Sequence, residues 1–292
     1  MTSGREFYLW RERAKQAAIA AQISPAEVDW LLRAVAGLDN LALRLQLLSG
    51  QEQVLVDSSF SQLQNLWQQR IEKRLPVQYL AGTTAWRHFQ LKVSPAVLIP
   101  RPETELIVDI AKQAAGEELN AGHWVDLGTG SGAIALGLAV TFPQATIHGV
   151  DISAEALAVA LDNAVNLGLT SKIHFYRGNW WNPLAHLKGK VSGMVANPPY
   201  IPTAHIQQLQ PEVLRHEPHL ALDGGQDGLE HIRHLIEVSV DYLHPGGIWL
   251  IEMMAGQGEI VTQMLKAQGY YYNIKLLPDL AGIERFALAY RR

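Results

Sequence analysis

The chain has 292 residues, enough for one large domain or two ordinary ones, and its 48% hydrophobic and 18% charged content excludes a disordered chain. A net charge of −4 offers no general attraction for nucleic acid, and the absence of cysteine excludes disulfides and thiolate metal sites. No signal peptide is evident, and no apolar run approaches the roughly 20 residues that span a membrane, so we expect a soluble, cytoplasmic protein.

Residues 1–75 have helical periodicity and almost no strand signal. Ser24-Pro25-Ala26-Glu27 is a typical helix start, with serine as the cap, proline in the first turn and glutamate at the third position. The pattern predicts a small helical bundle with helices at 7–21, 24–35, 41–48 and 59–74.

The periodicity changes after residue 75. Residues 77–82 and 88–93 alternate apolar and polar side chains, which predicts the two strands of a hairpin within a connector that spans 76–100. Residues 101–105 then open a helix, with Pro102 at its first position and acidic residues in its first turn.

From Gly122 onward, strand and helix patterns alternate, which is typical of a parallel sheet with crossover helices. The predicted strands are 124–125, 146–150, 173–176, 191–196, 248–253, 270–277 and 284–290. The predicted helices are 132–141, 154–167, 228–243 and 259–268. The stretch 201–226 is poorly periodic, and a loop of that length beside a site is more often functional than decorative.

A glycine-rich tract between a strand and a helix marks a candidate cofactor site. Glycines let the backbone turn sharply and approach a ligand at a helix N-terminus. The tract residues assigned to the cofactor are Asp126, Gly128, Thr129, Gly130, Ser131 and Gly132. Asp151 ends the next strand, where a carboxylate can accept hydrogen bonds from ribose hydroxyls. The glycine spacing here is Gly-x-Gly-x-Gly, not the Gly-x-Gly-x-x-Gly of dinucleotide sites. This difference favours a ligand without a pyrophosphate. Trp180 is placed to flank an adenine ring, whereas Trp181 fits the core equally well.

Asn197-Pro198-Pro199-Tyr200 follows another apolar strand, and a simple turn is its ordinary explanation. It also suits a planar, weakly nucleophilic NH2 group. Asn197 offers a side-chain oxygen, and Pro198 offers a carbonyl that successive prolines keep out of a sheet ladder. Tyr200 can pack on the flat face of the acceptor. We therefore predict methyl transfer to an amide or an exocyclic amine, with Asn197, Pro198 and Tyr200 as catalytic residues and all four as substrate-binding residues.

Other polar patterns are less informative. His216-x-x-His219 and His231-x-x-His234 have spacings that a metal ion accepts, but no third ligand is evident, so we predict no metal site. Structural and functional interpretations both remain open for Arg101, Glu103, Glu105 and Glu252.

The two core motifs and four further stretches resemble the release factor glutamine methyltransferases (the PrmC/HemK family) over essentially the whole chain. The further stretches are Pro76-Val-Gln-Tyr-Leu-Ala-Gly82, Leu98-Ile-Pro-Arg-Pro-Glu-Thr-Glu105, Glu217-Pro-His-Leu-Ala-Leu222 with Gly224-Gly225, and Asp279-Leu-Ala-Gly-Ile-Glu-Arg285. The second of them is far more specific to this family than Asn-Pro-Pro-Tyr, which is shared with DNA and RNA amine methyltransferases. Asn179 departs from the family pattern, since an acid is common at that position.

The resemblance implies a Rossmann-like class I methyltransferase domain at 101–292, with a seven-stranded, mostly parallel sheet. A helical substrate-recognition domain at 1–75 and a β-hairpin linker at 76–100 would precede it. The implied reaction moves a methyl group from S-adenosyl-L-methionine to the N5 amide nitrogen of the glutamine in the Gly-Gly-Gln loop of class-1 peptide chain release factors, modulating translation termination.

The same resemblance implies site residues and partners. The family's cofactor positions fall on residues 128–132, Asp151, Trp180 and Asn197, and its substrate positions fall on residues 197–200. We expect a monomer whose partner is the release factor, without direct contact to nucleic acid or membrane.

Three other functions fit parts of the pattern. A nucleic-acid amine methyltransferase would use the same Asn-Pro-Pro-Tyr chemistry, but the acidic balance and the lack of a basic N-terminal module argue against it. A nicotinamide-dependent oxidoreductase shares the strand, glycine loop and acid but leaves Asn-Pro-Pro-Tyr unexplained. A catalytically silent binding protein is disfavoured because no expected site position is lost.

Overall fold

The computed structural model describes residues 3–44 and 59–292. The strands in these residues are β1 (Thr83–Trp86), β2 (Phe89–Lys92), β3 (Ala121–Leu127), β4 (Gln144–Asp151), β5 (Ile173–Arg177), β6 (Val191–Ala196), β7 (Leu243–Glu252), β8 (Tyr271–Pro278) and β9 (Glu284–Arg291). The helices are α1 (Gly4–Ala20), α2 (Ala26–Ala36), α3 (Asn40–Arg44), α4 (Phe60–Lys73), α5 (Val77–Ala81), α6 (Leu106–Ala115), α7 (Ala133–Thr141), α8 (Ala154–Asn166), α9 (Pro211–His216), α10 (Glu230–Ser239) and α11 (Gly258–Gln268).

Seven of the strands in the described residues form one sheet, in the order β5-β4-β3-β6-β7-β9-β8. The first five run parallel, and β9 is antiparallel to both of its neighbours. Within this sheet, β3 comes first along the chain, and β4 and β5 are added on one side of it. The chain then returns to the other side of β3 with β6. Ligands of such sheets bind beyond the carboxyl ends of the strands at this reversal, so the topology places a site between the ends of β3 and β6.

Both faces of the sheet are covered, as its continuous apolar strands require. Alternate residues along a strand point to opposite faces, so that Trp124 packs with α6 and α7 while Val125 packs with α10 and α11. All six residues of β6 are buried. The predicted α/β class with a seven-stranded, mostly parallel sheet is confirmed.

Two compact units divide the chain: residues 1–84 with 210–216, and residues 85–209 with 217–292. The predicted domain boundaries at 75 and 100 stay predictions. In the first unit, helices α1, α2 and α4 enclose a core that includes Phe7, Leu31 and Trp67.

Ion pairs organise the polar contacts of the first unit. Arg11 contacts Asp29 at 2.6 Å, and the buried Arg70 contacts Glu27 at 2.6 Å and Glu212 at 2.8 Å. Thus Glu27 does not complete the expected capping motif. The N-cap of α2 is Pro25, which makes no side-chain cap hydrogen bond.

The structure corrects several predicted elements. Residues 77–82 were predicted as a strand, but α5 is a helical turn that begins after Pro76 and ends at Gly82, whose φ of 70° terminates it. The hairpin is instead formed by β1 and β2. The segment after Pro102 is a 3-10 turn that precedes α6. The helix expected at 228–243 is shorter than predicted: it ends at Ser239, and residue 243 is already the first residue of β7.

The stretch 201–226 contains short helical turns at Thr203–Gln208, Pro211–His216 and His219–Ala221. Of the helix expected at 41–48, residues 45–48 lie outside the described residues. Among the helices of 3–44 and 59–292, none is long and apolar enough to cross a membrane.

Candidate active site

A cavity of about 580 Å³ lies at the carboxyl ends of the parallel strands. Its size is within the range of about 300–1,000 Å³ that small-molecule sites occupy. The predicted site residues that line it are Gly128, Thr129, Gly130, Ser131, Asp151, Trp180, Asn197 and Pro199. Asp126, Gly132, Pro198 and Tyr200 do not line it; the last three each adjoin a lining residue in the sequence, and Asp126 bonds the lining residue Thr129.

The glycine loop after β3 is held in a sharply turned conformation. The amide N–H groups of Gly128 and Thr129 both donate to the Val150 carbonyl at 2.9 Å. Gly132 has a φ of 84° and precedes α7. A Cβ at that position would lie 3.1 Å from the Cβ of Ala160 and 3.3 Å from its Cα. Both the backbone conformation and the close approach of α8 therefore require glycine here.

The buried side chain of Asp126 holds this loop by hydrogen bonds. Its carboxylate accepts the Thr129 hydroxyl at 2.6 Å and the Ala135 amide at 3.0 Å. Burial raises the pKa of Asp126 to about 7, although both hydrogen bonds act in the opposite direction. The second oxygen, Oδ1, is buried with no partner in the described residues. Asp126 thus shapes the loop rather than the cavity wall.

Asp151 joins the loop to the end of β4. One carboxylate oxygen accepts the Gly130 amide and the other accepts the Ser153 amide, each at 2.9 Å. Burial raises the pKa of Asp151, against the effect of these backbone hydrogen bonds. A carboxylate has about four lone-pair sites, so Asp151 can still accept from a ligand's hydroxyl groups.

The adjacent tryptophans have different positions. Trp180 is half-buried on the cavity wall, with its ring 3.5 Å from the position that a Cβ on Gly128 would take. Trp181 is buried in the core, where it stacks on Tyr242 at 4.3 Å and donates to the Ser239 hydroxyl at 3.0 Å. Trp180 therefore lies where it could flank a cofactor, as predicted, whereas Trp181 is a core residue.

The Asn-Pro-Pro-Tyr tract leaves the sheet at the end of β6. The Asn197 side-chain nitrogen donates to the Thr104 hydroxyl at 3.3 Å. In the described residues, no donor contacts either the Asn197 Oδ1 or the Pro198 carbonyl. Gln257 holds the end of the tract by donating to the Tyr200 carbonyl at 3.1 Å. Two acceptor oxygens are thus left without donors next to the cavity.

A buried carboxylate, Glu252, lies beneath this tract at the end of β7. It accepts the Thr104 hydroxyl at 2.7 Å and the Tyr200 hydroxyl at 3.1 Å. Burial raises the pKa of Glu252, and burial together with Glu252 raises the pKa of Tyr200. Tyr200 is therefore a neutral hydrogen-bond donor, and its hydroxyl is committed to Glu252.

A second buried carboxylate, Glu217, ties two walls of the cavity together. It accepts the Arg101 guanidinium at 2.6 Å and the Ile99 amide at 3.2 Å. Residues on both sides of this clamp, including Arg101 and Pro218, line the cavity. Arg101 thus belongs to the site's wall, whereas Glu105 accepts the Arg87 amide and helps anchor the β1–β2 hairpin.

Sequence reasoning missed Thr104, Glu217 and Asn163. Asn163 is buried and bonds the Ser131 carbonyl at 2.9 Å and both backbone groups of Lys92. Thr104 and Glu217 lie within stretches that carry the family resemblance, which was the available signal; nothing in the local pattern identifies Asn163.

The histidine pairs belong to different surroundings. His231 lies beside Trp180 at the cavity, at 5.4 Å between ring centroids, and His216 bonds the Lys73 carbonyl. Across residues 3–44 and 59–292, no group of three or more acidic, histidine or cysteine side chains is arranged to hold a metal ion.

Comparison with known proteins identifies relatives of this chain. Residues 120–274 match the family model of a methyltransferase domain. A Synechocystis protein named release factor glutamine methyltransferase is 53% identical over 290 residues, which cover 98% of this chain and 97% of that protein. One of the same name from Gloeobacter violaceus is 47% identical, over 96% of each chain. The solved catalytic domain of hMettl16, in complex with a MAT2A 3′UTR hairpin, has a TM-score of 0.57 and 14% identity, over 79% of this chain and 80% of that chain, which shows similarity of fold alone.

Proposed function

This chain belongs to the release factor glutamine methyltransferase family, and from that membership we propose that it methylates the N5 amide nitrogen of the glutamine in the Gly-Gly-Gln loop of class-1 release factors. The methyl donor in this proposal is S-adenosyl-L-methionine. The observation that carries it is the pair of acceptor oxygens without donors at Asn197 and Pro198, next to a cavity floored by a glycine loop.

The residues of the cavity fit this cofactor. Asp151 has lone pairs left for ribose hydroxyls, and Trp180 offers a flat apolar surface for an adenine ring. The turned backbone at Gly128 and Gly130 leaves room for close approach, and Arg101 supplies a positive charge for a carboxylate. When bound, S-adenosyl-L-methionine supplies an electrophilic methyl group on a positively charged sulfur.

The acceptor chemistry follows from the Asn-Pro-Pro-Tyr tract. A primary amide has two N–H groups, and its nitrogen is a poor nucleophile because the lone pair is shared with the carbonyl. Asn197 Oδ1 and the Pro198 carbonyl can each accept one N–H, which fixes the amide plane and directs the face of the nitrogen toward the cofactor cavity.

Neither oxygen is a strong base, so this chain's contribution is alignment. The nitrogen would gain the methyl group as the bond from that methyl to the donor's sulfur breaks, with the electron pair staying on sulfur, and one amide proton would be released to solvent. Effective alignment is worth about 7–11 kcal/mol in well-oriented reactions, and it does not require a strong general base. The rigid prolines and the bond from Gln257 to the Tyr200 carbonyl maintain that alignment.

The test uses the purified protein, labelled S-adenosyl-L-methionine and a bacterial class-1 release factor, beside the same factor with its loop glutamine changed to alanine. Mass spectrometry should find one added methyl group on that glutamine in the first factor and none in the second. Asn197→Ala should abolish methylation, whereas Asn166→Ala, at the exposed end of α8, should not. Label in DNA or RNA instead of the factor would favour the nucleic-acid amine methyltransferase.

A further inference from the structure

The carboxylate of Glu252 has no part in the proposed methyl transfer, although it is 2% exposed and lies at the centre of the acceptor network. Its two oxygens receive hydroxyl groups from two separate parts of the chain, Thr104 at 2.7 Å and Tyr200 at 3.1 Å. A buried charge is costly unless such bonds compensate it, and a neutral side chain would fill the same space at lower cost. The presence of a buried carboxylate here therefore points to a function in the acceptor site.

The direction of each hydrogen bond in this network follows from the carboxylate. An ionised carboxylate only accepts, so the single proton of the Thr104 hydroxyl is committed to Glu252. The Thr104 oxygen can then only accept from its other neighbour. Its neighbour at 3.3 Å must therefore be the amide nitrogen of Asn197, not the amide oxygen.

This directionality decides which end of the Asn197 amide is left for the substrate. With Nδ2 bonded to Thr104, Oδ1 is turned away and has no donor in the described part of the chain. A flipped amide would instead present an NH2 group to the NH2 group of the substrate. Two donors cannot bond each other, so a flipped Asn197 would not hold the acceptor.

We propose that Glu252 and Thr104 are positioning residues that set the orientation of the Asn197 amide through an ordered hydrogen-bond relay. The proposal deepens and rests on the proposed methyl transfer to a glutamine amide. It assigns to Thr104, in the stretch after Pro102, a part in acceptor recognition rather than in helix initiation alone.

The charged groups around Glu252 act in opposite directions. Arg285, which pairs with Asp279 at 2.8 Å, favours the ionised carboxylate, whereas Glu103 disfavours it. Tyr200 and Thr104 donate to it. Protonation of Glu252 would let it donate to Thr104 and reverse the relay, so the relay requires the ionised form.

Three variants separate this relay from ordinary packing. Thr104→Val removes the hydroxyl at nearly constant volume, and Thr104→Ser keeps the hydroxyl. Glu252→Gln keeps the shape but lets an NH2 group donate to Thr104, which reverses the relay. The matched controls are Thr262→Val on α11, whose buried hydroxyl has no partner in the described residues, and Glu237→Gln on the exposed face of α10.

Steady-state methylation of a release factor gives kcat, and calorimetry gives the Kd of S-adenosyl-L-methionine. Thr104→Val and Glu252→Gln should each lower kcat by about 10- to 100-fold, the loss expected when a buried hydrogen-bond partner is left unmatched. Thr104 lines the cavity, but neither Thr104 nor Glu252 is assigned to hold the cofactor in this proposal, so the Kd of the cofactor should change by less than about threefold. Thr104→Ser and both controls should keep kcat within about threefold of the wild type, and the double variant should lose no more than the more affected single variant.

A pH profile gives a readout that a packing role would not change. The wild-type kcat should fall on the acid side as Glu252 is protonated, and this fall should be absent from the low, flat profile of Glu252→Gln. A folded Thr104→Val variant with wild-type kcat would refute the relay. So would a decrease of kcat in Glu252→Gln without a decrease of kcat in Thr104→Val. A wild-type protein that leaves the release factor unmethylated would refute the proposed function instead.

Discussion

The buried carboxylate of Glu217 clamps Arg101 and the Ile99 backbone. The Glu217 side chain is 2% exposed and bonds Arg101, which is 35% exposed, and the buried amide of Ile99. Glu217→Ala leaves the Ile99 amide without a partner, which costs about 1–3 kcal/mol. Loss of the ion pair adds less than the 3–5 kcal/mol of a fully buried pair, because water can reach the Arg101 guanidinium. We therefore expect a decrease of about 2–4 kcal/mol in the free energy of unfolding.

The same variant should weaken cofactor binding. Residues on both sides of the clamp line the cavity, so their separation would loosen two of its walls. Urea titration measures the free energy of unfolding, and calorimetry measures the Kd of S-adenosyl-L-methionine. Glu217→Gln should lose less than Glu217→Ala, since its single oxygen can still accept one of the two donors. If Glu217→Ala unfolds at the wild-type urea concentration and binds the cofactor unchanged, the clamp has no structural role.

Three more predictions concern the glycine loop and its surroundings. Gly132→Ala should cost about 2–3 kcal/mol of stability and most cofactor affinity, because it combines a φ of 84° with a Cβ 3.1 Å from Ala160; denaturation and calorimetry would measure both. Trp180→Ala should weaken cofactor binding with little loss of stability, whereas Trp181→Ala should cost about 3–5 kcal/mol of stability, and the opposite pattern would contradict the assigned positions. The pKa of Asp126 is about 7 when folded, and its unfolded value is the ordinary one near 4. The protonated folded state is favoured at low pH, so wild-type stability relative to Asp126→Asn should fall as pH rises from about 4 to 7, by up to about 1.4 kcal/mol per pH unit. A pH-independent difference in urea midpoint between the two proteins would show that Asp126 is already ionised.

The local motifs were readable because their constraints are local. The Gly128–Gly132 loop needs backbone conformations that favour glycine, and paired prolines cannot continue a sheet ladder, whatever surrounds them. The alternation of strand and helix patterns along the chain likewise predicted the parallel sheet. Strands that are buried on both faces have near-continuous apolar sequences, which made them easy to recognise. The short segment 77–82 was predicted wrongly because so few residues fit both helical and strand periodicity, and the flanking Pro76 and Gly82 decided the outcome.

The sequence alone predicted which residues could accept an amide and which could approach a cofactor, because those properties depend on the side chains and the adjacent backbone. Only the tertiary structure decided which groups support them. Thr104 and Glu252 are 148 positions apart and lie 2.7 Å from each other, and the neighbours Trp180 and Trp181 have different surroundings. Parallel strands bring their carboxyl ends to one edge of the sheet regardless of separation along the chain. Contacts made at that edge, and the hydrogen-bond directions they impose, leave no periodic or local mark in the sequence.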